Sequence, residues 1–140
     1  MQVFINIDVA EMESAIRFYR QAFDLKLKRR LFDNSVAELT GTTAMIYLLE
    51  KKAGSAALEG MHEVRRYARH WTPVHLDFVV DDVDTSVQKA VAAGAVPETS
   101  IRSEAWGRIA TLSDPFGNGF CILELTDRGY DTMISLSTKI

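Results

Sequence analysis

Hydrophobic and polar positions follow two periods along this chain, and the chain switches between those periods twice in the same order. Residues 3–9, VFINIDV, place apolar side chains at every second position, the alternation of a half-buried strand. Residues 12–23 then change period. Met12, Ala15, Ile16, Tyr19 and Phe23 fall on one face of a helix, and acidic residues at its start suit the positive end of the helix dipole. Three strand-like segments follow at 25–31, 35–39 and 44–50, separated by the turn sequences FDNS and TGTT. From residue 74 the grammar restarts. VHLDFVV reads as a strand and 83–93 as a helix with Val83, Val87, Ala90 and Val91 inward. Gly94 stands just past the helix end, where a left-handed backbone is cheap for glycine. Strands are expected at 96–102, 107–113 and 119–125, the last two joined by the turn DPFGN.

Superposing the halves makes the repeat explicit. Val3 falls on Val74, Ile7 on Phe78, Val9 on Val80, Met12 on Val83 and Ile16 on Val87. The closing strands also match: AMIYLLE (44–50) lies over NGFCILE (118–124), so Tyr47 corresponds to Cys121. Each half is βαβββ, and a single half would leave one sheet face bare, so the two must cooperate. The expected class is α+β, with a first module at 1–50, a connection at 51–72, a second module at 73–126 and an unassigned tail at 127–140. The connection opens with small residues, KKAGSAALEG, and continues as MHEVRRYARHW, expected as a short helix or an ordered loop acting as a lid or dimer contact.

Composition narrows the field. The chain is 47% hydrophobic, enough for a core without metal or disulfide staples. A formal charge of -3 gives no field for nucleic acid or an acidic membrane. One cysteine, Cys121, excludes an intrachain disulfide. No apolar run is long enough to span a bilayer, and no basic-then-apolar leader precedes the first strand, so a cytoplasmic protein is expected.

The paired modules, the strand-to-helix entry HLDFVVDDVD, the helix end FYRQAFDL and the closing DPFGNGFCILEL together resemble the vicinal oxygen chelate superfamily. That group includes glyoxalase I, bleomycin-resistance proteins and extradiol dioxygenases. The resemblance covers about residues 2–126. It implies that the two modules form a curved mixed sheet around a central cavity, the glyoxalase/bleomycin-resistance/dioxygenase fold. In the enzymes a divalent metal sits there, usually on one ligand from the first and one from the last strand of each module. By that pattern the four positions here are Phe4, Tyr47, His75 and Cys121.

This quartet departs from the histidine and glutamate set of the metal enzymes. Phe4 has no donor atom, and Tyr47 would ligate only as a phenolate. No cofactor is favoured; the alternative is zinc, nickel, iron or manganese on His75 and Cys121, with Glu124 as a substitute ligand. Glu124 lies three residues beyond Cys121, so alternation sends it to the opposite face unless a bulge shifts the phase. Asn6 and Asp77 share faces with Phe4 and His75. Asp77 beside His75 would orient the imidazole as a general base, or the two would be a structural polar pair. Trp106 and Arg108, near a hairpin that rims the cavity in such proteins, are candidates to hold a flat or anionic ligand. Cys121 reads as a small hydrophobe or as a nucleophile beside His75.

Three functions compete on this fold, which by itself chooses none. The first is a homodimeric binder of a small apolar or aromatic molecule without a full metal site. The second is a metal-dependent lyase, isomerase or dioxygenase using His75. The third is a metal-free enzyme using His75 and Asp77.

Overall fold

The computed structural model describes residues 1–135. The first module comprises β1 (Phe4–Val9), α1 (Met12–Phe23), β2 (Lys26–Leu31), β3 (Val36–Thr40) and β4 (Met45–Glu50). The second comprises β5 (Leu76–Val79), α2 (Val83–Ala93), β6 (Val96–Pro97), β7 (Arg102–Glu104), β8 (Gly107–Ser113) and β9 (Gly119–Leu125). Both helices span the residues that the periodicity marks, because local chemistry fixes their ends. The carboxylate of Glu11 accepts from the backbone N–H of Ser14 at 2.7 Å, and that of Asp82 from Thr85 at 3.1 Å. Asp24 and Gly94 close the two helices in left-handed conformations. Glu50 adds a tertiary cap, accepting from the N–H of Met12 at 2.7 Å, so the end of β4 holds the start of α1.

Each module forms its own mixed sheet. The first has the order β1-β4-β3-β2, with β1 parallel to β4. The second has the order β5-β9-β8-β6, with β5 parallel to β9 and β7 also paired to β8. The outer edges of β1 and β5 carry no strand partner among the described residues. The expected strand at 96–102 is therefore two short strands. Four residues, 98–101, oppose only Ala110 and Thr111, and the N–H groups of Glu98 and Thr99 both donate to the Thr111 carbonyl. This is a wide irregularity rather than a continuous ladder.

The helices pack on one another as well as on their own sheets. That second contact buries Phe18, which the single apolar stripe did not include, while Val91, expected inward, is exposed. Phe23 of α1 stacks on Phe78 of β5 with ring centroids 3.9 Å apart, so one core runs through both modules. The modules are also joined by the Tyr19 hydroxyl, which donates to Asp114 Oδ2 at 2.6 Å. Residues 51–72 hold no helix. They form an ordered extended connection pinned by Arg65 on Asp8 (2.7 Å), Tyr67 on the Lys51 carbonyl (2.5 Å) and Arg69 on Glu98 (2.5 and 3.0 Å). In the tail, a 3-10 turn at Gly129–Met133 brings Tyr130 against Trp106; residues 136–140 of the tail lie outside the described residues. No helix among the described residues is long and apolar enough to cross a membrane.

Candidate functional site

Strand alternation gives each sheet one face toward the helices and one open face. In the first module Ile5, Ile7 and Val9 point to the helix side, and the buried Ile46 and Leu48 of β4 join them. The open side therefore carries the cross-strand row Asn6, Tyr47, Glu38 and Arg29, which the register sets side by side. Phe4 lies one step along β1, its ring edge-on to Tyr47 at 5.2 Å. A bulge between Leu27 and Arg29 lets Lys28 reach the same carboxylate as Arg29. Glu38 is buried under them, 3.1 Å from Arg29 and 3.5 Å from Lys28. The Arg29 guanidinium, then the Tyr47 hydroxyl, hold its carboxyl below the usual range. In return Glu38, followed by burial, pushes the Tyr47 phenol up.

The equivalent row of the second module is Asp77, Cys121 and Thr111. His75, just before β5, turns its Nε2 to Asp77 Oδ1 at 3.3 Å. One ligand atom from each of His75, Asp77 and Cys121 lies within 4.8 Å of the others. The Thr111 hydroxyl is 3.4 Å from the Cys121 sulfur. Burial pushes the Cys121 thiol up and outweighs that hydroxyl, and the Asp77 charge adds to the rise. A cavity of about 230 Å³ opens on this row, and the connection supplies one of its walls through Arg69, Trp71 and Thr72. A second hollow, of about 460 Å³, lies between the facing edges of β1 and β5 and is shared by Asn6 and His75.

The quartet thus resolves into two clusters, Phe4 with Tyr47 and His75 with Cys121, one on each module. Asp77 joins the second. Glu124 does not: it lies on the opposite face of β9 from Cys121, near Arg108. Arg108 is likewise away from the open face. Its guanidinium grips Asp84 at the start of α2, at 2.5 and 3.2 Å, because it stands an odd number of positions, three, before the open-face Thr111. Trp106 spends its ring on Tyr130, 5.3 Å away, rather than on the cavity. The tryptophan and arginine beside the cavity are instead Trp71 and Arg69.

Two βαβββ modules, each with a parallel first and last strand and an open face, define the glyoxalase/bleomycin-resistance/dioxygenase class of fold. The glyoxalase-like domain family model matches residues 4–123, and the chain belongs to that family, within the vicinal oxygen chelate superfamily. An uncharacterised protein of Mycobacterium bovis is 29% identical over 120 residues, covering 81% of this chain and 76% of its own length. Among solved structures, the fosfomycin resistance protein FosX of Listeria monocytogenes superposes with a TM-score of 0.71 at 16% identity, covering 96% of this chain and 98% of that one. A glyoxalase/bleomycin resistance protein/dioxygenase family enzyme of Burkholderia phytofirmans gives 0.66 at 20% identity, covering 88% and 97%. At such identities the likeness is one of fold.

The superfamily's metal can be tested against the residues present. A set spanning both modules does not fit: Phe4 offers no donor, and the Tyr47 phenol is held protonated by Glu38. Three donors do converge on the second module alone, one imidazole, one carboxylate and one thiol.

Proposed function

We propose that this protein binds a small, apolar or aromatic molecule on the open face of its second module, without the superfamily's full metal set. The observation that carries the reading is the division of the four positions. The first module places an aromatic pair where metal donors would stand. The second places a few hydrogen-bonding groups, Thr111, Cys121 and His75, around a small cavity. Such a lining suits an apolar body oriented by a few polar contacts. The reading includes a homodimer, because the exposed Val3, Phe4, Val74 and Val79 leave apolar surface for a second copy to cover. The test is mass spectrometry of small molecules co-purifying with the protein, together with metal analysis of protein prepared without chelators. A bound organic compound with metal well below stoichiometric supports the reading; stoichiometric metal and no compound overturns it.

One observation favours a second reading. His75, Asp77 and Cys121 would hold a single thiophilic divalent ion on three ligands and leave a position open. Such an ion would supply Lewis-acid polarisation of a bound oxygen, the chemistry of a lyase, isomerase or dioxygenase. Cobalt(II) titration separates the readings: a thiolate-to-metal absorption band that disappears in Cys121→Ser supports the ion, and its absence supports the binder.

A further inference from the structure

We propose that Trp71 is the stacking wall of the second module's cavity, and that the ligand it receives is an uncharged planar compound of one or two rings. This rests on the binding reading above and names the ligand class. Trp71 lines the cavity together with His75, Thr111, Gly119 and Cys121. Its neighbours are tied down on both sides. Arg69 donates to both carboxylate oxygens of Glu98 and to the carbonyl of His70, the N–H of His70 donates to the Gly117 carbonyl at 3.3 Å, and the Thr72 hydroxyl donates to the Val74 carbonyl at 2.6 Å. The Arg69 guanidinium lies so close over Gly119 that a Cβ there would stand 2.4 Å from Nη2.

The connection is therefore anchored while the indole it carries is 81% exposed and stacks on no other ring among the described residues. A large amphipathic ring at a cavity mouth, with no ring packed on its faces, offers one of those faces to a flat partner inside the cavity. Trp106 provides the contrast, since its ring already packs on Tyr130.

The charge around the cavity selects the class. The only guanidinium on its wall, that of Arg69, is already committed to Glu98. Thr111 carries no charge, and the Asp77 carboxylate stands beside His75 on the same face. An anionic ligand would meet the Asp77 charge while the two nearby guanidiniums, Arg69 and Arg102, are already paired with Glu98 and Glu104, whereas a hydroxyl or ring nitrogen finds a donor or acceptor at Thr111 or His75. Size agrees: about 230 Å³ is below the roughly 300–1,000 Å³ of sites for drug-sized compounds.

The probes are 2-naphthol, uncharged at neutral pH, and naphthalene-2-sulfonate, the same ring system with a negative charge. Binding is measured by calorimetry and by quenching of Trp71 emission in a Trp106→Phe background. The inference expects saturable binding of 2-naphthol, with the sulfonate weaker by about tenfold or more. Trp71→Ala should weaken 2-naphthol by about tenfold or more, and Trp71→Phe by only about threefold. Light scattering should give Trp71→Ala the same mass as the wild type. If 2-naphthol binds wild type and Trp71→Ala equally, the stacking role fails and the binding reading stands. If the sulfonate binds as tightly, the ligand class fails. If Trp71→Ala changes the mass, the indole belongs to a subunit interface and the inference is overturned. If neither probe binds saturably, the inference is overturned, while the binding reading still stands or falls on the co-purified compound and the metal analysis.

Discussion

Replacing Tyr19 with Phe removes a single oxygen, the one whose hydrogen bond joins the two modules through their buried interior. The Tyr19 side chain is 2% exposed and its hydroxyl donates to Asp114 at 2.6 Å. Asp114 opens the DPFGN turn and is itself 2% exposed. Its carboxylate also accepts from the N–H of Phe116 at 2.8 Å, the N–H of Asn118 at 3.0 Å and the side-chain amide of Asn118 at 2.9 Å. Those three donors lie within the turn and survive the substitution, so Asp114 is not orphaned. Hydrogen bonds to charged groups contribute about 1.5–3 kcal/mol, and the three retained donors place Tyr19→Phe toward the low end. For a domain of this size that corresponds to a Tm lower by about 4–10 °C. Urea unfolding followed by circular dichroism should show a lower midpoint at unchanged slope.

Asp114→Ala must cost more than Tyr19→Phe, since it strips the turn of all four contacts. Adding Tyr19→Phe to Asp114→Ala should then change little, the mark of two groups whose effects are coupled. The pH dependence has a definite sign. Burial, then the Asp114 charge, pushes the Tyr19 hydroxyl well above the ordinary value of about 10. A group whose folded pKa is raised contributes its full stability below the unfolded value and loses it as pH rises from there toward the folded value. Wild-type protein should therefore lose stability above about pH 10 more steeply than Tyr19→Phe. Tyr47 and Tyr67, also raised, keep a residual slope in the variant. A stability loss below about 0.5 kcal/mol, or identical alkaline profiles, would refute the assignment of this bond as a tie between the modules.

The remaining predictions concern the connection, the thiol and the assembly. Gly117→Ala should destabilise more than Gly119→Ala: at 117 the backbone has φ of 81° and a Cβ would stand 2.2 Å from the Ala68 carbonyl oxygen, a backbone clash, whereas at 119 it meets the movable end of Arg69. Paired thermal melts check the order, and equal melting temperatures would contradict it. Gly119→Ala should also loosen residues 67–72, read as faster limited proteolysis there than in wild type. Cys121 should react slowly with iodoacetamide at neutral pH and gain rate only above the pH at which an ordinary thiol does, because burial raises its pKa and keeps it protonated. A rate matching free cysteine would show the thiol to be more open than its surroundings indicate. Light scattering at micromolar concentration should return the mass of a dimer; a monomer there would mean that the exposed apolar side chains Val3, Phe4, Val74 and Val79 need no partner.

Much of the architecture is legible in the sequence because local chemistry and long-range packing agree in each module. The helices keep their expected ends where Glu11 and Asp82 cap them and where Asp24 and Gly94 take the left-handed turn. The site was legible only in part, for two physical reasons. Residues 65–71 place arginine and aromatic side chains at both even and odd positions, so helix and strand periods compete. The alternate set Arg65, Tyr67 and Arg69 wins because each finds a distant partner, on Asp8, Lys51 and Glu98, and a sequence read locally does not contain those partners. This is how Trp71 came to the cavity and Trp106 did not. The second reason is a constraint that the sequence did contain. The DPFGN turn joins β8 to β9 as a hairpin in which Ser113 faces Gly119, so Thr111 faces Cys121 and Arg108 faces Glu124. An inward Cys121 therefore makes Thr111 its neighbour and sends Arg108 and Glu124 together to the far side, where Arg108 meets Asp84. The alternation that removes Glu124 from the open face also removes Arg108, because paired residues on adjacent strands share a face.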